Sequence, residues 1–442
     1  MKNALLGIVK CIAVWIITLS VLIGLLVASA CIPNEKINDS LTAAAMEYMP
    51  EEPRPVFNPT AYHSIQDNYA DVILLGIISC VSSGDPFTSS INTIYYDGED
   101  YGPAYGLYAS VLGVKGNTDY TRYWHGSMTF IRPLLTITDI SGIKTVSGVV
   151  MIILTGISCF MLFRRKNAAA AVILILSLLS VQAFFVTLSL EYIVAFMVML
   201  FLLPLYIFFA EKDNVLLLLS VSGGTLIAFN DFLTAETITF FVPFLIVLFI
   251  RIRNKSFGGF KEGLILTAKC GGGWLTAYIF TFVSKWVFAT AVTGENKFTA
   301  AIASVNERTS GSAADFDNPV EQIFSALFAN LSMLFPTPEK ISPIAVILAV
   351  IIYIGIPVVF ILAFRKKEKS GIIPLLLIIA AVPIVRFLLL SNHSYLHNFF
   401  TYRALCITVI AMLGAAWYSL DKNKLPFFKQ TESVPSKKGG KK

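Results

Sequence analysis

The sequence predicts an all-α polytopic membrane protein of about ten transmembrane helices, and three observations carry that expectation. The chain of 442 residues is 56% hydrophobic and only 14% charged, with a mean hydropathy of +0.72. A soluble domain carries about 25% charge, so this much apolar surface needs lipid to cover it. Apolar segments of spanning length recur with short connections, and basic clusters follow them at Arg164-Arg165-Lys166, Arg251-Ile-Arg253-Asn-Lys255, Arg365-Lys366-Lys367-Glu-Lys369 and in the Lys437–Lys442 tail. Under the positive-inside rule those clusters mark the cytoplasm. A contact with anionic lipid explains the tail better than nucleic acid does.

Residues 1–30 form the first span. Ala28-Ser29-Ala30-Cys31 has the small-residue look of a processing site, but the apolar run before it has the length of a span rather than of a signal core, so an uncleaved helix is expected. Residues 31–143 form an extracytoplasmic loop, proline-rich at first. Its apolar runs at 71–81 and 127–137 are too short to cross and are expected as interfacial helices. Spans two to seven occupy 144–288, a flexible extracytoplasmic loop 289–341, spans eight to ten 342–420, and a basic cytoplasmic tail 421–442. Both termini then lie in the cytoplasm of a multi-pass cell-membrane protein. The glycines at 271–273 fall in a span, where small residues favour close helix contact. Cys31 and Cys80 share the first loop and could pair; no zinc spacing occurs.

This topology sorts the chemistry. All acidic residues except Glu211, Asp213, Glu262, Glu368, Asp421 and Glu432 fall on the outer side or at outer span ends, as do His63, His125, His393 and His397. Any site therefore faces outward.

Asp67 and Asp71 stand four apart at the start of an apolar run, on one face if helical. A partly buried carboxylate there suits removal of a proton from an attacking hydroxyl; the same pattern also arises from helix capping. A divalent cation is compatible with these acids, but their spacing does not imply one. Asp231 and Glu236 in Phe229–Glu236 are either turn residues or groups facing an outward cavity, and Glu191 is a weaker case of the same kind. Lys285 and Arg386 lie within outer span ends, where a cation snorkels or meets an acid or an anionic ligand. In Asn392–Arg403, His393 and His397 with Arg403 could hold a metal or a phosphate. Tyr123, Trp124, His125 and Arg132 add rings and donors on that side, suited to sugar stacking as well as to membrane anchoring. Arg308 completes the set from the second outer loop. No GxSxG, Walker or HExxH motif occurs.

The stretches DNYAD, RYWHGSMTFIRPLL, FNDFLT and NHSYLHNFFTYR, with this layout, resemble the GT-C superfamily of polyprenyl-phosphate-sugar-dependent glycosyltransferases, including multi-pass proteins of Gram-positive bacteria. The resemblance implies an inverting transferase moving a sugar from a polyprenyl-phosphate-linked donor to a cell-surface glycan, lipid or protein acceptor, as in cell-wall polysaccharide assembly. It further implies that the first-loop acid is Asp67 or Asp71, and that Lys285, Arg386 or Arg403 contacts the phosphate with His393 assisting. It names no certain cofactor. A flippase or transporter of lipid-linked saccharides is the alternative, using the same charges for binding.

Overall fold

The computed structural model describes residues 2–311, 316, 318–366, 371–421 and 424. Lys367, Glu368, Lys369, Glu432 and the Lys437–Lys442 cluster lie outside the described residues. About 75% of the structure is helical and almost none is strand, consistent with an all-α membrane protein. Helix α1 (Lys2–Ala30) leads into a loop built from α2 (Asn38–Tyr48), α3 (Asn68–Cys80), α4 (Pro86–Ile91), α5 (Gly102–Val111) and α6 (Met128–Leu135). Two-residue strands β1 (Ile94–Tyr95) and β2 (Thr118–Asp119) pair antiparallel across α5. The helices expected along 71–81 and 127–137 are thus α3 and α6, each too short to cross a bilayer of about 30 Å.

The bundle follows: α7 (Ile140–Arg164), α8 (Ala168–Ser180), α9 (Leu190–Phe208), α10 (Asp213–Asn230), α11 (Ile238–Arg253) and α12 (Phe260–Thr293). Next come α13 (Phe298–Ser310) and α14 (Pro319–Ser332), then α15 (Pro343–Val350) and α16 (Ile356–Phe364) joined by one π turn, and α17 (Ile373–Ala380) and α18 (Val382–Leu389). The short α19 (Ser391–Leu396) and α20 (Asn398–Thr401) precede α21 (Cys406–Tyr418). All ten segments expected to span are helical. Among the described residues, seven apolar helical stretches are long enough to cross a membrane: Leu5–Ala30, Ile140–Arg164, Leu190–Phe208, Asp213–Asn230, Phe260–Thr293, Pro343–Phe364 and Asn398–Tyr418. Helices α8 and α11 and the 373–389 segment are shorter.

The described residues of the segment 289–341, expected as a flexible loop, include two helices. Phe298, Ile302 and Val305 recur at helical spacing in α13, while Pro319 opens α14 and Asn318 caps it by accepting from the Val320 amide. Every cysteine is free, Cys31 and Cys80 included.

Close contact of α10 with α12 depends on missing side chains. A Cβ on Gly224 would meet the Trp274 carbonyl oxygen at 2.1 Å, and one on Gly273 would meet Leu217 at 2.8 Å. Gly273 thus serves the packing role expected of the glycine run.

The two ends of the bundle differ in chemistry. At one, Arg165 donates to the Phe208 carbonyl, Arg253 to the Lys166 carbonyl and Arg251 to that of Ala210, Tyr418 reaches Asn167, and the Lys366 amide donates to Ser419. The described basic clusters therefore gather at one end. The 31–139 loop packs on the other: the Gly126 amide donates to the Phe229 carbonyl, the Asp67 amide to Ser189, and Lys297 pairs with Asp119.

Candidate functional site

At the loop end, Asp67 occupies the N-cap of α3 and accepts from the Ala70 amide at 3.0 Å, while its own amide donates to Ser189 Oγ just before α9. The residue is 2% exposed, with the Arg54 guanidinium 3.6 Å away. Burial raises the carboxyl to about 6, against the opposing pull of Arg54 and the Ala70 amide. Asp67 lines a cavity of about 100 Å³ together with Glu191, Arg54, Tyr69, Tyr120, His125, Phe232, Arg308, His393 and His397. Among the described residues no hydrogen bond or ion pair holds the Glu191 carboxylate, which enters this wall from the first turn of α9.

Asp71 plays a different part. One oxygen accepts from the Leu190 amide at 2.7 Å, and the other meets Lys144 at 2.9 Å and the Tyr48 hydroxyl at 3.3 Å. Those bonds occupy both oxygens and tie α2, α3, α7 and α9 together, away from the cavity.

The Tyr123-Trp124-His125-Gly126 stretch is clamped between α10 and α12. Trp124 stacks on Phe229 at 5.0 Å and donates to the Thr281 carbonyl at 2.7 Å, so its ring is an internal anchor rather than a sugar platform. A Cβ at Gly126 would lie 2.2 Å from the Phe229 ring. This wedge holds His125 at a positive φ of 54° and turns it into the cavity. Its Nε2 lies 3.0 Å from the Tyr120 carbonyl oxygen, which assigns the proton there and leaves Nδ1 as an unpartnered lone pair. Burial, then Lys285, lowers its pKa to about 3. His397 is lowered likewise to about 3 by burial and by Arg54, and His393 falls well below its ordinary value, first by burial and next by His397. The three imidazoles are neutral at pH 7. His393 and His397 lie 4.8 Å apart, yet among the described residues no group of three or more His, Cys, Asp or Glu is arranged to hold a metal ion.

Most of the expected cationic contacts serve the scaffold. Lys285 is fully buried, donates to the Ile91 carbonyl at 2.6 Å and lies 5.3 Å from the Trp124 ring. Arg132 donates to the Ser29, Ile32 and Ile78 carbonyls and to Asn34, closing the ends of α1 and α3. Arg386 forms a two-pronged pair with Glu236 at 2.7 and 2.9 Å and also donates to the Leu233 carbonyl. Arg403 lies over the rings of Tyr192 and Tyr402 at 4.8 and 5.0 Å and donates to the Phe399 carbonyl, off the cavity wall. Tyr192 stands between: its ring meets Arg403 while its hydroxyl donates to the Ile65 carbonyl, two residues before Asp67. Asp231 accepts from the Thr234 amide and hydroxyl, which makes it a turn residue, and burial followed by Glu236 raises its carboxyl to about 7.

Beside the cavity runs an apolar groove of about 460 Å³, walled along α12 by Trp274, Tyr278, Ile279 and Phe282. Its polar end carries Arg122, Tyr123, Glu236 and Arg308. Arg308 belongs to both the groove and the cavity. It is half-buried, lies 5.5 Å from the Tyr123 ring, donates to the Ser304 carbonyl of its own helix, and leaves Nε without a partner. Arg122 lies 3.8 Å from the Tyr120 ring, also with Nε unpartnered. A larger groove of about 790 Å³ between α7, α8 and α9 shares no lining residue with the cavity.

Comparison of the chain with protein-family models, curated proteins and solved structures finds no match.

Of the residues singled out from sequence, the fold brings Asp67, His125, His393, His397 and Arg308 to one cavity, and Tyr123 and Glu236 to the adjoining groove. Glu191, the weaker case beside Asp231 and Glu236 in the sequence, also lines the cavity, whereas Arg54 and Arg122 were missed as site residues. The available signals were the Pro53-Arg54-Pro55 sequence and the Arg122-Tyr123 neighbours.

Proposed function

We propose that the protein is a membrane glycosyltransferase that moves a sugar from a polyprenyl-phosphate-linked donor to a cell-surface acceptor. One observation carries this reading: Arg308 forms part of the wall of both an apolar groove and a small polar cavity with two buried carboxylates. A prenyl chain in the groove would bring its phosphate to Arg308 and Arg122, whose unpartnered donors suit phosphate oxygens. The sugar would then lie toward Asp67 and Glu191.

Asp67 takes the proton of the acceptor hydroxyl as that oxygen attacks the anomeric carbon, inverting it. The arginines offset the charge growing on the departing phosphate. A raised carboxyl pKa matches a base that works near neutrality. The cavity has room for only a few waters of about 30 Å³ each, so donor binding widens it. In this reading the chain crosses the membrane ten times, with both termini in the cytoplasm and the site outside. The gathering of Arg165, Arg251, Arg253 and Lys366 at the opposite end supports that orientation.

The test is reconstitution of the chain in liposomes with a radiolabelled polyprenyl-phosphate hexose. A new glycosidic bond with release of polyprenyl phosphate is the expected outcome. Movement of the labelled lipid across the bilayer with no new bond would make the protein a transporter.

A further inference from the structure

The segment from Tyr95 to Tyr105 reads YYDGEDYGPAY, four tyrosines and three acids with no base. Its backbone folds back tightly on α5: a Cβ on Gly106 would meet the Tyr96 carbonyl oxygen at 2.2 Å, and Gly98 adopts a φ of 79°. Asp97 fixes the turn by accepting from the Glu99 amide, Asn117 and Thr118. Tyr101 and Tyr105 are left 77% and 38% exposed, with ring centroids 4.9 Å apart, beside the exposed Glu99 and Asp100.

The backbone of β1 joins this segment to the cavity wall. Tyr95, next to Tyr96, packs on Tyr120 at 5.9 Å, and Tyr120 lines the cavity. Tyr69 lines it too and is 40% exposed, under the Arg54 guanidinium at 5.5 Å.

We infer that the Tyr101 and Tyr105 face receives the acceptor and that this acceptor is a hydroxyl-rich glycan, an inference that rests on the transferase reading above. Tyrosine rings cover the apolar C–H faces of sugars, and carboxylates beside them accept hydroxyl hydrogen bonds. Tyrosines also anchor proteins at bilayer surfaces, but the exposed Glu99 and Asp100 beside these rings are repelled by an anionic leaflet. A lipid acceptor would need a second apolar channel to the carboxylates: the α12 groove is taken by the donor in this reading, and the α7–α9 groove shares no wall with the cavity. A glycan lying along the tyrosines extends one hydroxyl past Tyr69 toward Asp67. That oxygen bonds to the anomeric carbon as the bond from this carbon to the lipid phosphate breaks. The hydroxyl proton passes to Asp67, and the electron pair of the broken bond leaves with the phosphate.

The full chain in nanodiscs, probed on an array of neutral oligosaccharides, tests this. The unsubstituted chain is expected to bind a set of glycans. Tyr101→Ala/Tyr105→Ala should weaken that binding about tenfold or more, while Tyr101→Phe/Tyr105→Phe retains it because the rings remain. Equal binding by the alanine variant overturns the inference, as does the absence of any bound glycan or binding confined to anionic phospholipid vesicles. Release of polyprenyl phosphate by the unsubstituted chain is measured alongside, so that failure of the transferase reading is seen separately.

Discussion

Replacing Asp67 by Asn is expected to remove activity and, at neutral pH, to stabilise the chain. Asn still caps α3 by accepting from the Ala70 amide, and the 3.6 Å pair with the 43%-exposed Arg54 contributes only about 0–1 kcal/mol. Against those small losses stands the buried charge. The carboxyl titrates at about 6 in the folded chain and near its ordinary 3.8 in the unfolded one. At 1.36 kcal/mol per decade, that gap makes ionised Asp67 cost about 3 kcal/mol of stability as an upper bound. The sign follows from the raised value. Below pH 3.8 both states are protonated and the cost vanishes; it grows as pH rises toward 6 and is constant above. Melting of parent and Asp67→Asn in detergent should therefore coincide at pH 4 and separate by pH 7, the variant being more stable. Loss of a general base lowers turnover by about 10²–10⁴-fold. Parent activity should rise about tenfold per pH unit below 6 and level off above it. A variant that keeps its activity, or melts below the parent at neutral pH, refutes the reasoning.

Three further outcomes are expected. Arg308→Ala should slow consumption of the polyprenyl-phosphate donor by about 10–100-fold, the loss of one charge-assisted contact, with melting unchanged because among the described residues its hydrogen bond is to a carbonyl of its own helix. Arg386→Leu leaves Glu236 buried and unpaired, so chemical denaturation should show a loss of about 3–5 kcal/mol, most of it recovered in Arg386→Leu/Glu236→Leu. Gly126→Ala drives a methyl into the Phe229 ring and should cost about 1–3 kcal/mol, with a shift in Trp124 fluorescence as the clamp opens.

The helical segments were legible because a membrane demands long apolar runs, and the residues chosen between them fell mostly at one end. Which of them share a cavity was not legible. Lys285, Arg132, Arg386 and Arg403 stand out in an apolar sequence as cations that need anions, yet carbonyl oxygens at helix ends or aromatic rings hold three of them. Those partners carry no signature in the sequence. Asp67 and Asp71 look equivalent on paper. Only the position of Lys144, 73 residues after Asp71, decides that Asp71 is neutralised while Asp67 faces a cavity. The two helices in 298–332 were obscured by the polar stretch that separates them.

The cavity wall draws on residue 54 near one terminus and residue 397 near the other. A ribosome must therefore release the polypeptide through α20 before the pocket can close. Truncations that remove α19 should leave a membrane-inserted but inert protein, and splitting the gene anywhere between these residues would require both fragments to find each other within the bilayer.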